Sequence, residues 1–533
     1  MTTPTTPSKT TTAPQWPGVG GASMWMLLAF VGALFAYRLW MVPHSGISLF
    51  FDEAQYWDWS EHLAWGYFSK PPLIAGLIWL STHLFGDSVL GVKAVVMALY
   101  PITALSMVGL ARALWPTEGG VRTGMVAAAL FATIPTVALM GLFASTDAPL
   151  ILCWTLASWA LWRAQATDQL RYWVAVGVVC GIGLLGKYTM AAFALTALWT
   201  LWGVPGPRRG ILRAGPWVAI VMAALMLSPN LIWNAHNGFP TLHHTAELTT
   251  SSNRGGGVVP TLVFVAGQAL MLGPVAVLAG LWLLRRSANG GVAGTAPTKA
   301  SYHFLWAMSL PLQAIAVVQA FHADAHVNWA APSMVGFCLL IASRLSRPEL
   351  PLAAVRPRGW LMAALASNIV LTSAVLQARD IAGPTLPSRL DALVRMRGWQ
   401  EVFTALAPAI EQADTRGLPV LTESRLLITH AAYNWRQHGV QTVIWNPQRT
   451  VNNHYELTRS LPNQAGADVV LVTESSNPAG IAQRFASSTL LRSAKVAVGP
   501  DRFIELHAFV LRGFKGYDTP PNGAQPARRD NED

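Results

Sequence analysis

Charged residues are scarce in this chain. They make up 12% of its 533 residues, against about 25% in soluble domains. Hydrophobic residues make up 52%, so the balance excludes a soluble enzyme and indicates an integral membrane protein with many spans. Cysteine is also scarce. Cys153, Cys180 and Cys338 all lie in apolar segments, which predicts neither a disulfide framework nor a cysteine-based zinc site.

The net charge of +11 does not indicate a nucleic-acid partner, because its distribution follows the membrane segments. Residues 1–376 hold 20 Lys/Arg and 11 Asp/Glu, whereas residues 377–533 hold 17 and 15. The positive surplus therefore belongs to the apolar part of the chain, where basic residues set membrane topology. No nucleic-acid binding is predicted.

About 20 apolar residues are needed for each span, and the chain offers about 11–13 such segments. The predicted spans are 24–42, 88–111, 123–142, 148–162, 172–186, 188–204, 216–234, 258–284, 302–320, 327–343 and 359–376. The Thr/Pro-rich residues 1–23 are expected to be a disordered cytoplasmic tail. The first apolar run exceeds a signal-peptide core and is predicted to be a retained anchor.

The connectors between these spans differ sharply in basic residues. One set holds fifteen Lys or Arg and the other holds only Lys70, Lys187 and Arg254. The basic set is predicted to be cytoplasmic, which places the N-terminus there and the other connectors outside. The outer set includes a long first periplasmic loop over 43–87. Its short apolar stretch 71–86 is predicted to be a helix lying at the membrane interface.

After the last span the pattern changes to short alternating elements. Helices are predicted at 399–412, 424–437 and 479–487, and strands at 418–422, 441–445, 468–473, 489–498 and 502–511. This alternation is typical of a small α/β domain. The organisation predicted is a membrane domain over 24–376, a periplasmic α/β domain over 377–516 and a disordered tail over 517–533.

Acids and aromatics directly follow the first span, where they are costly to place unless they serve a function. Asp52 and Glu53 open the run Phe-Asp-Glu-Ala-Gln-Tyr-Trp-Asp-Trp-Ser, and Lys70 lies in Gly-Tyr-Phe-Ser-Lys-Pro-Pro. A carboxylate at the interface can act as general base on an acceptor hydroxyl, and a lysine can pair with a phosphate. The competing interpretation is a solvated connector with interfacial aromatics.

Further outer segments carry polar side chains. Asp147 or Thr146 is predicted to cap a helix, which would also hold the Asp147 carboxylate on the face that carries Asp52. Lys187 either snorkels or binds the donor phosphate, and Arg254 is a further candidate for that phosphate. The predicted substrate contacts are Tyr56, Trp57, Tyr67, Asp147, Asn234, His236, His326 and Asn328. A divalent metal is possible, because imidazole and carboxylate groups can bind zinc. The histidine spacing matches no zinc signature, however, so no cofactor or metal site is predicted.

These motifs together resemble the GT-C-type, polyprenyl-phosphate-dependent glycosyltransferases. The resemblance rests on Asp-Glu-Ala-Gln-Tyr-Trp-Asp-Trp-Ser…Gly-Tyr-Phe-Ser-Lys-Pro-Pro, then Ser-Thr-Asp-Ala-Pro, Gly-Lys-Tyr-Thr, Ser-Pro-Asn-Leu-Ile-Trp-Asn and Asn-Trp-Ala-Ala-Pro, in that order. This class of glycosyltransferases includes the protein mannosyltransferase-like families and the lipid A aminoarabinose and galacturonic acid transferases. Arg397-Gly-Trp399 resembles a segment of the bacterial members' outer domain. The match covers most of residues 24–400.

The resemblance implies a polytopic α-helical membrane protein that acts as an inverting glycosyltransferase, a hexosyl- or pentosyltransferase. Its donor would be a sugar on a polyprenyl phosphate, and its acceptor an envelope lipid, glycan or protein at the periplasmic face of a bacterial inner membrane. Asp52 matches the catalytic acid position, with Glu53 beside it, and Lys70 matches a donor-phosphate position. Ser69 stands where aminoarabinose-type relatives often have an acid, so their acceptor chemistry is not carried over.

The main competing hypothesis is a polytopic transporter or flippase of envelope precursors. Such a protein is expected to show inverted repeats and polar residues near the membrane midplane. The sequence shows no internal repeat, and its polar residues gather at one face. A non-enzymatic envelope scaffold whose outer α/β domain binds partners also stays open. So does an O-antigen ligase-type or polymerase-type protein, which would not need the Asp-Glu motif.

Overall fold

The computed structural model describes residues 21–116, 118–202, 213–250, 256–289, 296–323, 325–346 and 357–517. Up to residue 376 the described chain is helical, with α1 (Gly21–His44), α2 (Phe51–Ser60), α3 (Leu73–Phe85), α4 (Val89–Leu114), α5 (Glu118–Thr133), α6 (Pro135–Met140), α7 (Asp147–Thr167), α8 (Leu170–Gly186), α9 (Phe193–Trp202), α10 (Ala214–His236), α11 (Pro240–Thr250), α12 (Val258–Leu272), α13 (Pro274–Asn289), α14 (Ala296–His322), α15 (Ser333–Leu345) and α16 (Pro357–Leu376). Short 3₁₀ helices, Tyr188–Ala192 and Val327–Ala330, precede α9 and α15.

Five of these helices, α1, α4, α10, α14 and α16, are long and apolar enough to cross a membrane. The predicted polytopic membrane fold is confirmed, and helices lie at every predicted span position. The bent pair α12 and α13, at the predicted span 258–284, passes the same length and hydropathy test when its two helices are taken together. The other predicted spans fall short of it. Helix α7 is one of these, and its Trp154 and Leu161 are fully buried by neighbouring helices.

The predicted span 258–284 is not a single helix. Helices α12 and α13 replace it and meet at an angle of 94°. The break lies at Gly273, whose φ of 100° belongs to the left-handed region, followed by Pro274. Glycine reaches this conformation without strain, and proline supplies no backbone N–H to continue the first helix. The segment 123–142 is not one helix either, because Pro135 opens a separate helix, α6.

The segment 43–87, predicted as a loop, contains two helices. The motif aromatics and acids lie on α2, where every residue except Asp52 is buried. Helix α3 confirms the predicted helix within 71–86. The predicted tails 1–23 and 517–533 lie largely outside the described residues, but Gly21 to Ser23 belong to α1.

The C-terminal α/β domain predicted from the sequence is present. It contains helices α17 (Ala378–Ala382), α18 (Trp399–Leu406), α19 (Pro408–Glu411), α20 (Arg425–Asn434), α21 (His454–Thr458) and α22 (Ala479–Ala482), and strands β1 (Val420–Thr422), β2 (Thr442–Ile444), β3 (Val469–Thr473), β4 (Phe485–Ala497) and β5 (Phe503–Phe514). The predicted helix 479–487 ends at Ala482 because β4 begins at Phe485.

These five strands form one sheet in the order β2-β1-β3-β5-β4. Strand β1 pairs in parallel with β2 and β3, with Leu421 opposite Val443 and Leu471, whereas β5 runs antiparallel to β3 and β4. Buried apolar residues on both faces of β3 hold helices against the sheet, as the pattern of a covered parallel strand requires.

The domain is joined to the end of α1 and to the segment after it. Ser48 donates to the carbonyl of Met396 across 2.7 Å. Arg397, in the Arg-Gly-Trp motif, is buried, bonds Asp391 across 2.8 Å and also donates to the carbonyl of Ser45. The domain is therefore seated on the face of the bundle that carries α2.

Candidate active site

Asp52 lies in the first turn of α2, where the helix dipole favours a negative charge. Its side chain is 38% exposed, and its Oδ1 accepts from Nη1 of Arg425 across 3.3 Å. The carboxylate is thus held at one oxygen and reachable from solvent. A general base needs this combination of a fixed position and access to the proton that it takes.

Glu53 has a different environment from its neighbour. Its Oε1 lies 2.7 Å from Nζ of Lys93 and accepts from the backbone N–H of Ala144 across 2.6 Å. Its Oε2 accepts from the backbone N–H of Phe50 across 2.9 Å. Glu53 and Lys93 are 2% and 0% exposed, so this is a buried ion pair. Successive helical residues point about 100° apart, and the structure therefore separates the two adjacent carboxylates.

Lys70 follows α2 in the connector to α3, and its half-buried ammonium has no ion-pair partner among the described residues. Burial lowers the pKa of Lys70, and the charge of Lys187 lowers it further, whereas Asp52 and Asp147 raise it. These charges lie close enough to act on one another. An ammonium that lacks a protein partner in such a place can pair with an anionic ligand.

Asp147 connects three segments of the bundle. Its Oδ1 lies 2.7 Å from Nζ of Lys187, which follows α8, and its Oδ2 accepts from Nδ2 of Asn328 across 2.9 Å. The predicted capping role is wrong, because the helix begins at Asp147 and Thr146 precedes it without a side-chain cap bond. The carboxylate instead fixes the positions of Lys187 and Asn328 beside Lys70.

A network of amide side chains and one phenol joins the segment between α2 and α3 to helix α10. The hydroxyl of Tyr188 donates to Asn230 Oδ1 across 2.6 Å, and Asn230 Nδ2 donates to the carbonyl of Trp65 across 2.7 Å. Asn234 Nδ2 contacts the Tyr188 hydroxyl at 3.3 Å, and its buried Oδ1 has no hydrogen-bond partner in the described chain. Of this network, the sequence predicted only Asn234.

The aromatic residues predicted as substrate contacts are packed into the protein. Tyr56 is buried, Trp57 donates to Asp87 Oδ1 across 2.7 Å, and Tyr67 stacks on Trp59 with ring centroids 4.3 Å apart. These contacts fix the shape of the connector around Asp52 and Lys70.

The remaining predicted site residues are His236, His326 and Arg254. His236 and His326 are at least partly exposed, and His326 packs edge-on against Trp329. Arg254 lies outside the described residues. Among the residues described, no three His, Cys, Asp or Glu side chains are grouped so that they could hold a metal ion.

Three arginines of the C-terminal domain pair with acids of the segment 43–87, and the sequence indicated none of the three. They pair as Arg425 with Asp52, Arg459 with Asp58 and Arg436 with Asp87, at 3.3, 2.9 and 2.7 Å. The partners are separated by about 350 to 400 positions along the chain. A motif within a short stretch of sequence cannot indicate contacts between residues that lie so far apart in the chain.

The lowered pKa of Lys70 has a testable consequence. As pH rises, the ammonium is lost before the ordinary lysine value of 10.5, so we expect a polyprenyl phosphate, the lipid that the resemblance implies, to be released at a pH below 10.5. Arginine stays charged throughout this range, so a Lys70→Arg variant should keep the lipid at that pH. Binding is measured against pH with the full-length protein in nanodiscs. If the original chain and Lys70→Arg lose the lipid at the same alkaline pH, a role of Lys70 in phosphate binding is contradicted.

Comparison with known proteins supports the resemblance seen in the motifs. Residues 69–233 match the family model described as dolichyl-phosphate-mannose-protein mannosyltransferase. The lipid A galacturonosyltransferase RgtD of Rhizobium johnstonii is 27% identical over 440 residues, which cover 82% of this chain and 88% of that protein. The undecaprenyl phosphate-alpha-4-amino-4-deoxy-L-arabinose arabinosyl transferase of Pseudomonas savastanoi is 29% identical over 209 residues, 38% of each chain.

Solved structures share the fold. Crystal structures of ArnT from Cupriavidus metallidurans, without ligand and bound to undecaprenyl phosphate, both give a TM-score of 0.61 at 15% identity, over 92% of this chain and 98% of theirs. The archaeal oligosaccharyltransferase AglB from Archaeoglobus fulgidus gives 0.51 at 11% identity, over 85% and 70%. The predicted fold class is confirmed by these similarities.

Proposed function

We propose that this chain is a GT-C-type glycosyltransferase that moves a sugar from a polyprenyl-phosphate donor to lipid A or a related envelope glycan. One observation carries the proposal. Asp52, a partly exposed carboxylate, and Lys70, a half-buried ammonium without an ion-pair partner in the described chain, lie together between the helical bundle and the C-terminal domain. Transfer from a lipid phosphate requires a base for the acceptor and a cation for the leaving group. One matched relative is named as a transferase of lipid A, and another as a transferase of an undecaprenyl-phosphate sugar.

The reaction is a single displacement at the anomeric carbon of the donor sugar. The acceptor oxygen forms a bond to this carbon as the bond to the donor phosphate oxygen breaks, which inverts the anomeric configuration. Asp52 takes the proton of the acceptor hydroxyl. The polyprenyl phosphate leaves with one more negative charge than the donor carried. Lys70 and Lys187 stabilise that charge as it develops, which lowers the barrier.

Neighbouring residues take positioning roles in this proposal. Glu53, which the sequence placed with the catalytic residues, fixes the start of α2 through its buried pair with Lys93. Asp147 holds Lys187 and Asn328 at the edge of the phosphate site. The packed aromatics Tyr56, Trp57 and Tyr67 form the wall of the site rather than a mobile binding surface. Arg254 remains a third candidate for the donor phosphate, and His236, Asn234 and His326 remain candidates for sugar or headgroup contacts.

The protein spans a membrane several times, and we propose that it does so in the bacterial inner membrane with the site on the periplasmic side. The support is the excess of Lys and Arg, fifteen against three, in the connectors opposite the site. The same asymmetry places the N-terminus in the cytoplasm and the C-terminal domain in the periplasm. The donor's isoprenoid chain would then lie between spans, in contact with membrane lipids, with its phosphate at Lys70.

For the sugar itself, we propose a hexuronic acid rather than an amino pentose. The galacturonosyl relative matches 82% of this chain, whereas the arabinosyl relative matches 38%. The charge of the site also favours a uronate, which is an anion. Among the described residues, Lys70 and the charges around it are three cations and two anions: Lys70, Lys187 and Arg425, and Asp52 and Asp147. An amino sugar would add a further positive charge.

We expect the purified full-length chain in nanodiscs to transfer galacturonic acid from its undecaprenyl-phosphate donor to lipid A, and to use the aminoarabinose donor at least tenfold more slowly. Product is measured by mass spectrometry of the lipid A. A preference for aminoarabinose would contradict the sugar assignment alone. No transfer from either donor, together with unchanged envelope lipids in cells that lack the gene, would contradict the proposed function.

A further inference from the structure

Arg425 differs from Arg436 and Arg459, the two other arginines of the C-terminal domain that pair with acids of the segment 43–87. Arg436 donates from Nε to Asp87 Oδ2 and from Nη2 to the Asp87 carbonyl, both across 2.7 Å. Arg459 pairs at 2.9 Å with Asp58, whose side chain is 6% exposed. These two contacts are short and fasten the domain to the connector. The contact of Arg425 is longer, and its carboxylate partner stays open to solvent.

The position of Arg425 in the fold also sets it apart. It is the first residue of α20, shortly after β1 ends at Thr422. The carboxyl ends of parallel strands are where α/β folds place functional side chains, and β1 is parallel to both of its neighbours. A cation at a helix N-terminus is opposed by the helix dipole. Helix stability therefore does not explain an arginine here, but a contact with Asp52 does.

The guanidinium group of Arg425 is held in a defined orientation. Its Cζ lies 4.7 Å from the centre of the Phe51 ring, a cation–π distance. From that position Nη1 donates to Asp52 Oδ1 at 3.3 Å and to Gln55 Oε1 at 3.4 Å. Within the described part of the chain, Oδ2 of Asp52 receives no hydrogen bond. One carboxylate oxygen is thus anchored, and the other is left for the acceptor.

We propose that Arg425 is a positioning residue of the transfer reaction, through which the C-terminal domain holds the catalytic carboxylate of Asp52 in place. This inference rests on the proposed function, since it needs Asp52 to act as the base. The anchored Oδ1 fixes the rotamer of Asp52, so that Oδ2 faces the acceptor hydroxyl. The site is then complete only when the C-terminal domain is seated on α2, and the domain takes part in catalysis.

The test compares two arginine variants of the full-length chain in the nanodisc transfer assay. Arg425→Ala should lower kcat about 10- to 100-fold, the scale expected when a reacting group loses its alignment. The KM for the donor should change by a smaller factor than kcat, because Lys70 and Lys187, which hold the phosphate in the proposed function, are unchanged. Millimolar guanidinium ion added to the assay should restore part of the kcat of this variant. A group that only supports the fold would not be restored in this way.

Arg436→Ala is the matched control, because it removes a docking contact of the same domain while leaving Asp52 and Arg425 unchanged. We expect its kcat to stay within about threefold of the original chain. Equal losses in both variants without rescue by guanidinium would assign Arg425 to docking alone and overturn the inference. Full activity of Arg425→Ala would also overturn it while leaving the proposed function standing. If the original chain transfers no sugar and the envelope lipids are unchanged in cells that lack the gene, the proposed function is contradicted and the inference falls with it.

Discussion

Replacing Asp52 by Asn should lower the rate of sugar transfer by a factor of about 10² to 10⁴, the range that a positioned general base contributes. The amide keeps the size of the carboxylate and can still accept from Arg425 at Oδ1, but it cannot take the acceptor proton. The side chain is 38% exposed, so its loss of charge should leave folding and membrane insertion unchanged. The measurement is kcat with the undecaprenyl-phosphate donor and lipid A in nanodiscs.

Asp380→Asn provides the matched control for that prediction. Asp380 is an exposed carboxylate in the first turn of α17, so the chemical change and its place at a helix start are the same. We expect full activity from this variant. Donor binding should also survive in Asp52→Asn, because Lys70 and Lys187 are untouched. If Asp52→Asn turns over like the original chain, Asp52 is not the base, whatever its motif resembles.

The second large effect concerns stability rather than rate. Lys93→Met should lower the free energy of unfolding by roughly 3–5 kcal/mol, since it leaves Glu53 as a buried charge without a partner. Both side chains are almost completely inaccessible, and the Lys93 ammonium also donates to the carbonyl of Leu142 across 3.1 Å. We expect a strongly lowered thermal midpoint of the detergent-solubilised protein and a reduced yield from membranes.

Two further variants separate this effect from a general loss of lysine. Glu53→Gln combined with Lys93→Met removes both charges and keeps one side-chain oxygen, which can accept from one of the backbone N–H groups of Phe50 and Ala144 that Glu53 accepts through separate oxygens. This pair of changes should recover part of the lost stability, because no buried charge is left without a partner. Lys495→Met breaks an exposed pair with Glu505 and should leave the midpoint unchanged. A midpoint of Lys93→Met equal to that of Lys495→Met would rule out the buried pair as a stabilising contact.

Glu53 shows what a sequence motif leaves undecided. In the sequence Asp52 and Glu53 are indistinguishable acids, and proximity to the membrane made both candidates for catalysis. Their separation depends on the turn of α2 and on Lys93, 40 positions away in α4. A lysine inside an apolar run predicts a buried partner, but the run itself does not say which of eleven acids in the membrane half supplies it. Only packing makes that choice.

The membrane spans were predictable to a similar extent. Apolar runs located the long helices of the bundle, because a membrane segment must satisfy its backbone hydrogen bonds internally and exposes apolar side chains. Where the runs contained Gly273–Pro274 or Pro135, the sequence joined what the structure separates. A bend of 94° depends on local backbone conformation and on the helices packed around it, and mean hydropathy reports neither.

The sequence by itself determined the class of this protein: a multi-span membrane bundle followed by an α/β domain, with acids and three cations gathered at one face. Composition, apolar run length and charge asymmetry act locally along the chain, so they can be read without coordinates. The tertiary structure alone decided which of two adjacent acids stays open to solvent, and that Asp147 pairs with Lys187 rather than with Lys70. It also decided that an arginine 373 positions away reaches Asp52. These are contacts between distant segments, and they exist only once the helices and the C-terminal domain have packed together.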